Sequence, residues 1–462
     1  MSYIKNTPAL LQQGDVAAKE HILELLDRLW DRMDSYKIIK EMMFVDGDIL
    51  HIGECTWDLS AKRNIYMFGA GKACNAMAMA VDEILGDRLK KGVISVKIAE
   101  DTDAYSEKIT VYVGGHPLPN KEGMNAALDI IEMISGAGKD DIFISVISGG
   151  SSALLTCPME GISLEDEIKA QDILLRSGAK IGEINSVRRH ISQTNGGRLA
   201  QRVRAVGAEL INIIVDDGVG ELPLKNRNVP VAYSATPIAA DATTLHDARA
   251  CITNYDLKER IPKSIINYLW EESPEKETPK SFDNGVVNFV LNSVPDSCEA
   301  AMKIAEEMGV NAMVLTTFLE GEAREAGYFF GSLAHEIKLN KRPIASPCFV
   351  FCSGEATTSV PDGCTGKGGP GHELSCAFAY EVQDLDNVAI ASVDTEGTDG
   401  TTRYAGAVTD TDTIAQLKAL GLDYFSIMRN HDAGGALERV NSAILTGNTG
   451  TNVCDFNVMY IG

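Results

Sequence analysis

Apolar residues recur along this chain in two periods, and the alternation between them predicts its architecture. Within 15–43, Ile22, Leu25, Leu26, Leu29 and Met33 fall three and four apart with charges between them, which predicts a helix with one buried stripe. Short continuous apolar runs follow: Ile65-Tyr66-Met67-Phe68, Gly92-Val93-Ile94-Ser95-Val96, Ile109-Thr110-Val111-Tyr112-Val113 and Ile142-Phe143-Ile144-Ser145-Val146. These read as buried strands. Helical stretches at 73–85 and 121–134 lie between the first and second runs and after the third. Strand, loop, helix, strand predicts a mainly parallel sheet with helices on both faces. Ligands of such sheets sit beyond the carboxyl ends of the strands.

The pattern breaks at Glu271-Glu272-Ser273-Pro274-Glu275-Lys276-Glu277-Thr278-Pro279-Lys280, a polar stretch with the composition of a linker or exposed loop. Beyond it, Asn288-Phe289-Val290-Leu291, Ala312-Met313-Val314-Leu315, Cys348-Phe349-Val350-Phe351 and Val388-Ala389-Ile390-Ala391 suggest a second sheet. The expectation is two α/β domains, 1–270 and 285–462, joined through 271–284, with the site between them.

Composition narrows the function more than the fold. In 462 residues, 65 acids against 42 bases give a net charge of −23. So acidic a surface repels nucleic acid and anionic lipid, and no basic patch offsets it, so neither is an expected partner. An anionic ligand would have to be drawn in by a few local cations or by a metal. The ten cysteines are scattered without a Cys-x-x-Cys pair, which suits a reduced protein better than a disulfide scaffold. Met1-Ser2-Tyr3-Ile4-Lys5 does not open a signal peptide, and no stretch approaches the roughly 20 apolar residues of a membrane-spanning helix. A soluble cytoplasmic chain is the expectation, with homo-oligomerisation left open.

Five glycine-rich strings carry the candidate chemistry: Phe68-Gly69-Ala70-Gly71-Lys72-Ala73, Gly114-Gly115-His116-Pro117-Leu118-Pro119, Ser148-Gly149-Gly150-Ser151-Ser152-Ala153, Gly366-Lys367-Gly368-Gly369 and Thr446-Gly447-Asn448-Thr449-Gly450-Thr451-Asn452. Glycine lets backbone amides approach a ligand closely, and successive amides form concave anion sites. With their flanking Lys, Ser and Thr, the strings point to an enzyme that handles phosphorylated ligands. Gly69, Gly71 and Lys72 follow a strand and open a helix, whose N-terminal amides attract an anion. Cys74 stands where a dinucleotide fingerprint wants a third glycine, and the spacing misses a Walker loop. A tight turn with a surface lysine is the bland alternative.

The amides and hydroxyls of Ser148, Gly149, Gly150, Ser151 and Ser152 suit a phosphate or carboxylate. The same string approximates a nucleophile elbow, for which His190 and His372 are the candidate bases, although nothing pairs either with Ser151. Arg188, in Asn185-Ser186-Val187-Arg188-Arg189-His190, could grip an anion bidentately, unless the paired arginines are a solvated helix face. Asp216 and Asp217 end the run Ile213-Ile214-Val215, and Ser353-Gly354-Glu355 and Thr395-Glu396-Gly397-Thr398-Asp399-Gly400 repeat the acid-plus-glycine theme. Any one acid is more often a turn residue. Several at strand ends suit Mg²⁺, which binds through one or two carboxylates and substrate phosphates.

Taken together, these residues resemble the glycerate 2-kinase family, the MOFRL-type kinases often labelled hydroxypyruvate reductases. The resemblance covers most of the chain. It rests on 69–73, 115–119, 148–153, 185–190 with 196–199, Leu319-Glu320-Gly321-Glu322-Ala323-Arg324-Glu325, and 447–452. It implies an N-terminal Rossmann-like domain with a mainly parallel sheet flanked by helices, a smaller C-terminal MOFRL-type α/β domain, and an active site in the cleft. The implied reaction is ATP- and Mg²⁺-dependent phosphorylation of a hydroxyl of a small hydroxy acid, with D-glycerate to 2-phosphoglycerate first. Lys72 inherits the family's functional lysine. The family's Ser-Asp-Val aspartate falls on Asp216 or Asp217, with an apparent extra residue leaving the choice open. On this reading Gly69, Gly71, 148–152 and Lys367 contact phosphates, and Arg188 the substrate carboxylate. Asp216, Asp217, Glu355 and Asp399 are the candidate metal ligands.

The departures concern the substrate. The family's Arg-Asn-Gln-Glu reads Pro370-Gly371-His372-Glu373 here, which removes a functional arginine. Arg403 stands where the family has an aspartate, and Gly220-Glu221-Leu222-Pro223 and Ser234-Ala235-Thr236-Pro237 replace two further strings. Arg403 is therefore expected to restore the lost charge from another direction, for a related acid such as a tetronate. An NAD(P)H-dependent hydroxypyruvate reductase and a non-catalytic ligand-binding relative are the alternatives.

Overall fold

The computed structural model describes residues 2–100, 103–219, 235–361 and 363–462. The chain forms two compact units, Ser35–Leu291 and Met1–Asp34 with Asn292–Gly462.

In the unit Ser35–Leu291, a small antiparallel sheet of β1 (Met43–Asp46), β2 (Ile49–Ile52) and β3 (Cys55–Asp58) comes first. The main sheet contains β4 (Asn64–Gly71), β5 (Leu89–Val96), β6 (Ile109–Val113), β7 (Asp141–Ile147), β8 (Glu209–Val215) and β9 (Val286–Asn292). Their order is β6-β5-β4-β7-β8-β9, and the pairings from β6 through β8 are parallel. β7 is buried at every position, as a central strand covered on both faces should be. Ala126, Ala127, Ile130 and Ile134 of the helix Lys121–Ser135 share a core with Phe68, Phe143 and Leu210. Strand order reverses between β4 and β7, so their carboxyl ends flank the switch point where such sheets bind ligands.

β9 corrects one expectation, because residues 288–291 complete the first sheet rather than open the second. A polar ladder selects this neighbour. Ser145 Oγ donates to Asn212 Oδ1 at 2.6 Å, and Asn212 Nδ2 donates to Asn288 Oδ1 at 2.8 Å. Apolar alternation is the same in either sheet and cannot choose between them.

The segment 271–284 does not join two domains. Arg198 donates to Lys276 O at 2.8 Å, Leu245 N to Glu277 Oε1 at 2.9 Å, and Thr278 Oγ1 to Asp241 Oδ2 at 2.9 Å. Its polar residues find partners within the same unit, which composition alone could not reveal.

The other unit has a mixed sheet of β10 (Asn311–Glu322), β11 (Cys348–Thr357), β12 (Val388–Asp394), β13 (Gly406–Asp410), β14 (Ala443–Ile444) and β15 (Asp455–Ile461), ordered β10-β11-β15-β12-β13-β14. β10 and β11 run parallel and the remaining neighbours antiparallel. The N-terminal helix Val16–Met33 belongs here. Its Trp30 Nε1 donates to Thr395 O at 3.0 Å, and its buried Lys19 lies 2.9 Å from the buried Asp410 carboxylate. The unit boundaries thus fall at 34/35 and 291/292 rather than around 271–284. The single helix expected over 15–43 is two, Val16–Met33 and Ser35–Met42, broken at Asp34, whose backbone is extended and whose carboxylate accepts from Tyr3 OH at 2.6 Å. Among the described residues no helix is long and apolar enough to cross a membrane.

Candidate functional site

At the carboxyl ends of β4 and β7 two glycine strings lie against each other. Lys72 N donates to Gly149 O at 3.0 Å, Ser148 N to Ala70 O at 3.0 Å, and Ala73 N to Ser148 Oγ at 2.9 Å. Gly71 has φ +139°, and a Cβ there would stand 2.1 Å from Ser148 Oγ, so a side chain would force the two strings apart. Gly150, at φ +83°, turns the chain into the short helix Ser151–Leu154. The atoms nearest its vacant Cβ position belong to the His116 imidazole, at 3.1 Å, and to Lys72 Cγ, at 3.3 Å. Gly69 serves packing instead. A Cβ there would stand 2.5 Å from Val146 and 2.7 Å from Cys74 Sγ. Burial pushes the Cys74 thiol far up.

β8 is the neighbour of β7, so Asp216 and Asp217 at its carboxyl end share this edge of the sheet. Asp216 is buried and its Oδ1 accepts from Gly218 N at 3.1 Å, while Asp217 is half-buried. Arg188 and Arg189, on the helix Ile181–His190, are both buried, which removes the solvated-face alternative. Arg189 pairs with Asp241 at 3.1 Å. Arg188 reaches only Asn185 Oδ1, at 3.4 Å, and its Nε has no partner among the described residues. Burial draws its guanidinium down to about 10, against the opposing pull of the Glu167 carboxylate. Glu167, which accepts from Gln171 at 3.1 Å, is pushed up to about 7 by its own burial.

The other predicted site residues lie in the second unit. Lys367 is exposed on a loop clamped from Lys367 N to Asp432 Oδ1 at 2.9 Å and from Gly435 N to Lys367 O at 3.2 Å. Asp399 is buried. Its Oδ2 accepts from His372 N at 2.9 Å and pairs with His372 Nδ1. Glu355 is exposed on β11. Burial, together with the charges of Asp394, Asp399 and Glu355, holds the Asp455 carboxyl well above its ordinary range. Arg403 is 72% exposed and donates to Tyr404 OH at 2.9 Å, with Glu438 3.4 Å away. Asp216 and Asp217 thus belong to one unit and Glu355 and Asp399 to the other. Among the described residues no group of three or more His, Cys, Asp or Glu is arranged to hold a metal.

Residues 21–270 match the model of a family described as a domain of unknown function, DUF4147, and residues 348–455 match the MOFRL family. A glycerate 2-kinase of Pyrococcus horikoshii is 35% identical over 93% of this chain and 94% of its own length. A D-glycerate 2-kinase of Thermotoga maritima is 34% identical over 85% of this chain and 89% of its own length. The crystal structure of a Thermotoga maritima glycerate kinase superposes with a TM-score of 0.75 at 30% identity, covering 96% of this chain and all of that one. The chain belongs to the glycerate 2-kinase family. It is accordingly a phosphotransferase that acts on an alcohol group.

On this glycerate 2-kinase scaffold, Lys72, Gly71 and the 148–152 string come together, with Asp216 and Asp217 on the same sheet edge. The hydrolase bases do not join them through any contact described. His190 engages Ser186 O at 2.7 Å and Glu277 at 3.3 Å, and His372 engages Asp399. His116 was visible in a glycine string but carried no role, since it lies more than thirty residues from each string it meets. The altered string 220–223 and Ser234 lie outside the described residues.

Proposed function

We propose that the protein transfers the terminal phosphoryl group of ATP, with Mg²⁺, to a hydroxyl of D-glycerate, giving 2-phosphoglycerate. One observation carries this reading: Lys72 and the left-handed turn at Gly150 face each other at the switch point of the parallel sheet. The names of relatives that span nearly the whole chain support it.

The residues present fit a phosphorylated nucleotide. Lys72 supplies a cation, and the turn at 149–152 supplies backbone amides of the kind that cradle phosphate. Asp216 and Asp217 would hold Mg²⁺, which neutralises phosphate oxygens during transfer. The partner not engaged by the cation orients the attacking hydroxyl or takes its proton. Glu355 and Asp399 are the second choice for the cation, and His372 already claims an oxygen of Asp399. Arg188 is assigned to the glycerate carboxylate, because a buried guanidinium whose Nε has no partner among the described residues suits a bidentate anion. Arg403 is the second candidate. Cys74, packed on Val146, occupies the place where a dinucleotide turn needs glycine, so the NAD(P)H-dependent alternative finds no support there.

The test is ADP release by the purified protein with ATP and Mg²⁺ against a panel of small hydroxy acids, with substrate-free and Lys72→Ala controls. Glycerate-dependent release that disappears in the variant is the expected result. Release with a four-carbon tetronate alone would move the acceptor, a change the string Pro370-Gly371-His372 favours as the second reading. Silence across the panel would overturn the kinase.

A further inference from the structure

His116 reaches the Lys72 site from a strand two places away in the sheet, and glycine backbone makes that reach possible. β6 is separated from β4 by β5, so the loop after β6 must cross the end of β5 to approach β7. It does so by pressing glycine against backbone. A Cβ on Gly114 would stand 2.6 Å from both Leu154 O and Ser95 Oγ, and a Cβ on Gly123 would stand 2.5 Å from Leu154 O. Ser95 Oγ donates to that same carbonyl at 2.5 Å. A Cβ on Gly115 would stand 2.3 Å from Leu118 O, and Asn120 anchors the far end by accepting from Gly123 N at 2.8 Å. Three glycines and two polar side chains thus fold one loop onto the helix Ser151–Leu154.

The side chain delivered by this arrangement is an imidazole. Its Cδ2 and Nε2 lie 3.1 and 3.3 Å from the vacant Cβ position of Gly150, beside Lys72 Cγ at 3.3 Å. Imidazole Nε2 and a lysine ammonium are both donors that suit phosphate oxygen. Packing against the Lys72 methylenes alone would be served by any side chain of similar size, whereas an imidazole also brings a ring nitrogen to the turn.

We propose that His116 is a catalytic residue of the phosphoryl-transfer site. Its Nε2 donates to an oxygen of the phosphoryl group held by Lys72 and the Gly150 turn. The inference rests on the kinase reading given above. The donor stabilises charge on the phosphoryl oxygens as the bond to the attacking hydroxyl forms and the bond to the nucleotide breaks. It takes no part in the proton balance.

Three variants test the donor atom itself. Gln can place an amide nitrogen where Nε2 lies, Asn places one nearer Nδ1, and Ala places none. His116→Ala is expected to lower glycerate-dependent kcat about 100-fold, the usual loss for one donor to a developing oxyanion. His116→Gln is expected to keep at least ten times the activity of His116→Asn and His116→Ala, at unchanged circular dichroism. Calorimetric titration of each variant with ATP supplies a readout independent of turnover, and weaker binding in the order Gln, Asn, Ala is expected. Activity and ATP affinity of His116→Ala within about threefold of the parent would overturn the proposal. So would equal losses in all three folded variants, which would mark a structural histidine. Failure of the kinase reading is distinguishable, because the parent protein would then show no glycerate-dependent ADP release while the ATP titrations still report on the phosphate contact.

Discussion

The glycine strings of the two units look alike in sequence and are crowded by different things. In Ser35–Leu291, the atoms closest to the missing side chain of Gly150 belong to Lys72 and His116, side chains that end in nitrogen. In the other unit the string 366–369 is filled by its own fold. A Cβ on Gly366 would meet Asn430 O at 2.2 Å, one on Gly369 would meet Asp399 Oδ1 at 2.1 Å, and one on Gly400 would meet Gly368 O at 2.1 Å. Both strings exist because backbone must approach something closely. A glycine string therefore reports crowding, and function depends on what does the crowding.

The sharpest way to break this comparison is to remove one lysine from each string. Lys72→Ala should lower kcat about 10³-fold, while Lys367→Ala, on an exposed and internally clamped loop, should cost less than about tenfold. Equal losses, measured as ADP release under saturating glycerate, would mean that both strings serve phosphate. A second cut addresses the units themselves. Lys19 and Asp410 are 1% and 0% exposed and 2.9 Å apart, and Asp15 N also donates to Asp410, at 2.8 Å. Lys19→Met strands a buried carboxylate and should destabilise the protein by about 3 kcal/mol. Urea denaturation would read it, and a change below about 0.5 kcal/mol would detach the N-terminal helix from the role given to it here.

Much of the first sheet was legible because its strands are long apolar runs punctuated by glycine. The placement of Lys72 and the 148–152 string at strand ends was legible for the same reason, since each follows such a run directly. The unit boundaries were not. Trp30 and Thr395 are hydrogen-bonded across 365 residues, and local periodicity carries no information about so distant a partner. Asn288 was assigned to the wrong sheet because its strand's apolar alternation suits either, and the deciding contact is one amide pair. His116 stayed mute because its role depends on a loop that crosses a strand end. The paired arginines 188 and 189 suited an anion or a solvated helix face equally by charge, and only burial excludes the solvated face.

Burial raises a carboxyl in each unit, Asp455 in the second and Glu167 in the first, and Glu167 sets a pH dependence that one substitution can test. Glu167 has its carboxyl pushed up to about 7 from an ordinary 4.5. Because the folded value is raised, folding takes up a proton in this window. The stabilising contribution is complete below about 4.5 and is lost as pH rises through about 7. At about 1.4 kcal/mol for each pKa unit, the full loss between about 4.5 and about 7 is on the order of 3.5 kcal/mol. The difference in urea midpoint between pH 5 and pH 8 should shrink in Glu167→Gln relative to the parent. An unchanged difference would place the titration elsewhere.

The smallest expected effect decides between the two arginines. Arg188 is buried with no partner for its Nε among the described residues, whereas Arg403 is 72% exposed and already donates to Tyr404 OH beside Glu438. A carboxylate approaching Arg403 must compete with water and with partners in place, so it gains little. One approaching Arg188 satisfies a buried Nε that has no partner among the described residues. Arg188→Lys keeps the charge but loses the planar fork, and should raise the glycerate KM about tenfold. Arg403→Ala should leave that KM within about threefold, since exposed pairs contribute little. The reverse pattern would mean that Arg403 supplies the cation lost at Pro370, and that the buried Arg188 serves the fold. Because both variants are read in one assay on one substrate, a uniform change in KM would count against either assignment, and only a split supports one.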